Sequence, residues 1–246
     1  MDGMMFWIAA SVAATLVGMS KGGLPLVGML CVPVLSLVIS PVTAAGLLLP
    51  VFVLSDVFGL YAYRREFDRR VLAILVLPMT LGVAIGWATA SVVPEQVVTL
   101  LVGLIGGAFA LNLILLPRLA PAGRASVAKG AIWGTLSGFT SFVSHAGAPP
   151  YQVFVLPLGL SKTVFAGTST IIFAYVNAIK LIPYYALGQL NTGSLRTALV
   201  LMPIAAVAVF AGVRLVKILP EALFFRLVTW ALLAVSVKLI WDGISG

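Results

Sequence analysis

Two apolar segments of this chain, residues 4–39 and 128–159, each run for more than 30 residues, and each is interrupted near its middle by glycine and proline. One membrane-spanning helix takes about 20 residues, so neither segment is a single span. Six further apolar segments, 41–63, 71–91, 95–116, 164–188, 195–217 and 221–243, do have that length. Only 9% of the residues are charged and 61% are hydrophobic, whereas a soluble domain of this size carries roughly a quarter charged residues. The chain lacks the polar surface to cover itself in water. The expected fold class is therefore an all-α integral membrane protein that works within the bilayer.

Basic residues lie between the apolar segments, in four clusters: Arg64, Arg65, Arg69 and Arg70; Arg118, Arg124 and Lys129; Lys162; and Arg214, Lys217 and Arg226. Only Arg196 and Lys238 lie near the alternate connections. Short cytoplasmic loops carry the Lys/Arg excess, which places these clusters inside. The net charge of +8 is thus a footprint of topology, and no nucleic-acid partner is expected. The connections at both ends of 128–159 then lie in the cytoplasm, and both ends of 4–39 lie outside. Each long segment must enter and leave on one side as a hairpin, and both termini are expected outside, in the periplasm of a cell inner membrane. Nothing basic precedes the first apolar stretch, so no signal peptide is expected.

Offsetting the chain against itself by 124 residues brings the two interruptions together. Ser20-Lys21-Gly22-Gly23-Leu24-Pro25 falls on Ser144-His145-Ala146-Gly147-Ala148-Pro149, Pro33 on Pro157, and Tyr61-Ala62 on Tyr185-Ala186. With small drift, Pro78 meets Pro203, Gly86 meets Gly212, and Pro94-Glu95 meets Pro220-Glu221. Residues 1–122 and 123–246 read as two repeats, each a broken-helix hairpin followed by three transmembrane helices. Three is odd, so the second repeat is inverted relative to the first, as the charge pattern also requires. Inverted repeats with interrupted helices are a common architecture of secondary transporters, with the site at the breaks.

Unpaired backbone at membrane depth survives only inside protein or along a wet cavity. A half-helix starting at each break would offer free N–H groups and a positive dipole end, and the small residues Gly22, Gly23, Ala146 and Gly147 would let an anion approach them. Ser20 and Ser144 would add hydroxyls, Lys21 an ammonium and His145 an imidazole. Asp56 aligns with Lys180, and both lie inside apolar helices. The pair is read either as an ion pair or as parts of the mechanism, with Asp56 or His145 carrying a coupling proton and Lys180 adding charge to the site. Thr168, Ser169, Thr170 and Asn177, on the helix after the second hairpin, could hydrogen-bond substrate or neighbouring helices. The pairs Gly82/Gly86 and Gly103/Gly106, with Gly107, read as helix-packing contacts.

With one cysteine, Cys31, and one histidine, the chain has neither an internal disulfide nor a metal cluster to offer, and no cofactor is expected. Ser144 and His145 are adjacent, which does not make a usual nucleophile–base pair, so no enzyme activity is expected.

The chain resembles the TauE/SafE family of sulfite-exporter-like transporters over nearly its whole length. The resemblance rests on Gly18-Met19-Ser20-Lys21-Gly22-Gly23 with Pro33, Ser55-Asp56-Val57-Phe58 leading to Tyr63-Arg64-Arg65, Ser144-His145-Ala146-Gly147-Ala148-Pro149-Pro150, and Asn177, Lys180 and Pro183-Tyr184 with Gly188. It implies export of sulfite or a small organosulfonate across a bacterial inner membrane, driven by the proton gradient. Many members carry a glycine triplet at the breaks, and this chain does not, which places it in a subgroup. The expected function is a secondary oxyanion transporter with a small anion and the lipid bilayer as partners. A passive anion channel and a non-transporting scaffold are the alternatives, and a homodimer is one assembly open to it.

Overall fold

A computed structural model describes residues 3–90, 92, 94–115 and 123–245. Arg118, the repeat boundary at 122 and the N-terminal Met1-Asp2 lie outside the described residues. All the described elements are helical: α1 (Met4–Lys21), a 3-10 turn (Val27–Leu30), α2 (Cys31–Leu35), α3 (Pro41–Tyr63), α4 (Arg69–Ala88), α5 (Glu95–Leu115), α6 (Val127–Ser144), α7 (Ala148–Val155), a second 3-10 turn (Leu156–Leu158), α8 (Lys162–Ala186), α9 (Thr192–Ile218) and α10 (Glu221–Ser245).

Among the described residues six helices are long and apolar enough to cross a membrane: 4–21, 43–63, 69–88, 162–186, 192–218 and 221–245. Five of these are expected spans, and the sixth expected span is α5, whose apolar stretch Thr99–Leu115 is shorter. The remaining one, α1, is the long first limb of the first broken segment. Both broken segments are unequal hairpins. An 18-residue helix is followed in the first by the 3-10 turn and the five residues of α2, and in the second by the eight residues of α7. Large apolar side chains such as Leu77, Ile132, Val207, Trp230 and Trp241 are exposed, as lipid-facing residues are. This is a multi-pass membrane protein.

Side chains fix where several helices begin. Ser40 Oγ accepts the Thr43 N–H of α3, and Asp68 Oδ1 accepts the Val71 N–H of α4 at 2.9 Å. Asn191 and Ser194 form a reciprocal capping box on α9, satisfying donors that a helix start otherwise leaves open.

The chain divides into two compact units that differ from the sequence halves. The first is 1–67 with 166–219, and the second is 68–165 with 220–246. In the first unit α1 crosses α9 in backbone contact. A Cβ on Gly18 would run into the Ala205 carbonyl oxygen, and one on Gly22 would come within 2.6 Å of Gly212 Cα. In the second unit α4 crosses α6 the same way. A Cβ on Gly82 would run into the Thr135 carbonyl oxygen and one on Gly138 into that of Met79, while Gly86 lies against the Phe142 ring. Gly103 and Gly106 pack against Ile240 and Ser236 of α10, and Gly107 makes an ordinary contact there. Without a hydrophobic force between helices in lipid, such close approach supplies the packing energy.

Candidate functional site

The first unit contains Ser20, Lys21, Gly22, Gly23, Asp56, Thr168, Asn177 and Lys180. The second contains Ser144, His145, Ala146 and Gly147.

At the first break α1 ends at Lys21, and Gly23 takes φ +107. Gly23 N–H bonds Ser20 O at 3.2 Å and Leu24 N–H bonds Met19 O at 3.4 Å, which closes the helix as a Schellman turn. Only glycine fits at position 23. The φ is left-handed, and a Cβ would also lie 2.6 Å from both Ala166 Cβ and Tyr63 Oη. The carbonyls left over are claimed by side chains from other helices. Tyr63 donates its hydroxyl to Gly22 O at 2.7 Å, and Thr170 donates to Lys21 O at 3.2 Å.

Lys21 is therefore the last helical residue, and its side chain stays inside. The ammonium lies 2.8 Å from Asp56 Oδ1 of α3 and 5.0 Å from the Phe52 ring centroid. Asn177 of α8 donates to the other carboxylate oxygen at 2.9 Å. Lys21 is 3% exposed, Asp56 4%, Asn177 3% and Lys180 0%. Lys180 stands three residues after Asn177, on the same helix face. Repeat alignment paired Asp56 with Lys180. The contacts on the carboxylate described here come from Lys21 and Asn177. Alignment relates equivalent positions, which need not touch.

Thr168 is fully buried on α8, but nine residues of helical rise, about 13 Å, separate it from Asn177. Ser20 donates to Val17 O of its own helix at 2.7 Å. Ser144 donates to Thr140 O at 3.4 Å. Each hydroxyl proton is thus turned back onto its own helix.

The second break is built differently. Here α6 stops at Ser144, and His145 itself takes the left-handed conformation at φ 55. Its N–H bonds Ser141 O at 3.2 Å, and the Ala146 N–H bonds Thr140 O at 3.2 Å. Two hydroxyls of α6 reach forward to carbonyls of the break, Thr140 to Ala146 O at 3.1 Å and Ser137 to Gly147 O at 2.7 Å, the latter also accepting the Tyr151 N–H of α7. His145 is 8% exposed. Then α7 begins at Ala148, with Pro149 and Pro150 in its first turn. The prolines have no N–H, so the helix start offers fewer donors than expected. The first break offers less, because a 3-10 turn and only five residues of α2 follow it.

Sequence reasoning missed the groups that satisfy the breaks, Tyr63, Ser137 and Thr140. It also missed two buried polar side chains. The Ser55 hydroxyl beside Asp56, and both ends of the Gln152 amide on α7, have no hydrogen-bond partner among the described residues.

A family model described as "Sulfite exporter TauE/SafE" matches residues 5–239. The chain belongs to the TauE/SafE family. No curated protein and no solved structure was found to match it. The match covers both breaks and all the buried charged residues of the first unit. It makes this chain a multi-pass membrane protein of a transporter family.

Proposed function

We propose that this TauE/SafE protein is a secondary transporter that exports a small oxyanion, sulfite or an organosulfonate, across a bacterial inner membrane by alternating access. The observation that carries this reading is the cluster of Lys21, Asp56, Asn177 and Lys180, buried in helices long enough to span a bilayer. Charged residues at such depth are costly and functional by default. The cluster holds two cationic side chains and one anionic one, a balance that receives an anion and repels a cation. In the arrangement described, Lys21 and Asn177 are engaged by the Asp56 carboxylate. A substrate oxyanion would compete with that carboxylate for the same donors, and a proton on Asp56 would release them to it. His145, in the second break, is the other candidate for proton exchange, since imidazole titrates nearest neutral pH.

The two sequence halves are inverted in this reading, with the Arg64–Arg70 and Arg124–Lys129 loops in the cytoplasm and both termini in the periplasm. A cysteine at Ala90 should then label from the periplasmic face; labelling only from the cytoplasm would overturn the orientation.

The function is tested by counterflow in liposomes preloaded with unlabelled sulfite or methanesulfonate, with labelled substrate added outside at lower concentration. A carrier gives a transient overshoot above equilibrium. Equilibration without overshoot would show a channel, and no flux would remove these oxyanions as substrates.

A further inference from the structure

Gln152 is fully buried on α7, four residues after Ala148, where the chain resumes a helix beyond the second break. Neither its Nε2 nor its Oε1 has a hydrogen-bond partner among the described residues. A buried amide left unsatisfied is destabilising, and within a bilayer no bulk water relieves it. The break carbonyls just before it are, by contrast, satisfied. Ser137 and Thr140 cap the break carbonyls immediately before α7.

A second unpartnered group lies in the same unit. Ser236 Oγ of α10 is buried and has no partner among the described residues. It borders the place where Gly106 of α5 has no side chain. A Cβ there would lie 2.6 Å from Ser236 Oγ and 3.2 Å from Pro149 Cβ. Pro149 is three residues before Gln152, so the two share a face of α7. In the first repeat the position equivalent to Gln152 is Gly28, and its missing Cβ would lie 2.8 Å from Ser20. The first break fills this slot with no side chain at all, whereas the second places there an amide with two donors and an acceptor.

We infer that Gln152 is a substrate-binding residue of the second unit and that it selects an oxyanion carrying a proton. This deepens the transport reading and rests on it. An amide presents N–H donors on one atom and an acceptor on the next. A fully ionised sulfonate offers acceptors only and satisfies the Nε2 end. A hydrogen oxyanion such as hydrogen sulfite offers an acceptor oxygen to Nε2 and an O–H to Oε1, and so satisfies both ends. The buried Ser236 hydroxyl is a second polar group of the same unit left to be satisfied.

The test compares wild type, Gln152→Leu and Gln152→Glu in proteoliposomes, with sulfite at mildly acidic pH and with methanesulfonate as substrates. Thermal unfolding of each purified variant is followed with and without sulfite. Leucine removes an unsatisfied polar group without opening a cavity, so Gln152→Leu should unfold at or above the wild-type temperature. Its KM for sulfite should rise about tenfold, the worth of one or two hydrogen bonds, and its KM for methanesulfonate should rise less. Sulfite should stabilise wild type against heat and stabilise the Leu variant less. Gln152→Glu should impair both substrates more than Leu does, since it puts a carboxylate against an anion. An unchanged sulfite KM in Gln152→Leu would overturn the inference while leaving the transport reading intact. Equal losses for the two substrates would overturn the selection of the protonated form. Absence of flux in wild type with both substrates would remove these oxyanions as substrates, and the inference would fall with them.

Discussion

The two breaks occupy equivalent positions in the sequence repeat, and hydroxyls close carbonyls at both, yet the first carries a buried ion pair besides. At the first, the helix runs through Lys21 and ends in glycine, so the ammonium remains inside and meets Asp56 at 2.8 Å. At the second, the helix ends one residue earlier. His145, the counterpart of Lys21, becomes the left-handed turn residue itself, and Ser137 and Thr140 close the freed carbonyls. The same problem, open backbone within the bundle, is met by hydroxyls from other helices at the first break, Tyr63 and Thr170, and by hydroxyls of the preceding helix at the second. Repeat similarity therefore predicts where a site lies better than it predicts what the site does. The charged break suits a ligand that bears charge. The neutral break, with the Gln152 amide nearby in its own unit, suits one that must be oriented.

This contrast is broken most severely at Asp56. Asp56→Ala leaves the buried Lys21 ammonium without its carboxylate, and removing one member of a buried pair costs about 3–5 kcal/mol. The variant should unfold at a much lower temperature in detergent or fail to accumulate. A variant that accumulates and unfolds like wild type would show that charge does not hold the first break. At the second break Ser137→Ala removes a neutral hydroxyl from Gly147 O, which the Tyr151 N–H still reaches at 3.3 Å, and should cost about 0.5–1.5 kcal/mol, seen as a smaller drop in unfolding temperature. A loss as large as that of Asp56→Ala would erase the distinction between the breaks. The smallest effect is at His145. A non-glycine residue in the left-handed region costs about 1–2 kcal/mol, and glycine relieves that strain while losing the packing of the buried imidazole, so His145→Gly should unfold close to wild type. If it nevertheless slows counterflow, the imidazole is needed for transport itself. Unchanged counterflow would remove His145 as a proton carrier.

Much of this was legible in the sequence for a physical reason. Apolar segments of span length, Gly-Pro interruptions and charges within apolar runs are signals that the bilayer makes costly, and so Lys21, Asp56 and Lys180 stood out. The contact on Asp56 was not legible, because alignment identifies Lys180 as its equivalent and says nothing of which side chain reaches it. The hydroxyls of Ser137 and Thr140 were also hidden. Serine and threonine in membrane helices commonly bond a carbonyl of their own preceding turn, as Ser20 and Ser144 do here. Nothing local marks the ones that reach forward across a break. Gln152 did leave a signal, a single amide in the apolar run Tyr151-Gln152-Val153-Phe154, which was overshadowed by the charged residues. Pro149 and Pro150, plain in the sequence, remove N–H donors from the helix start at the second break, so the helix dipole is a weaker guide there than the break itself.

The central claim is that the buried Lys21–Asp56 pair serves transport and does not merely hold the fold. It is tested most directly by counterflow with the double variant Lys21→Met/Asp56→Asn. Replacing both members removes the ion pair as a unit, and such replacements are often neutral for stability or better, so the protein should fold. The account predicts an unfolding temperature near that of wild type and no overshoot of labelled sulfite or methanesulfonate. A folded double variant with a wild-type overshoot would contradict it.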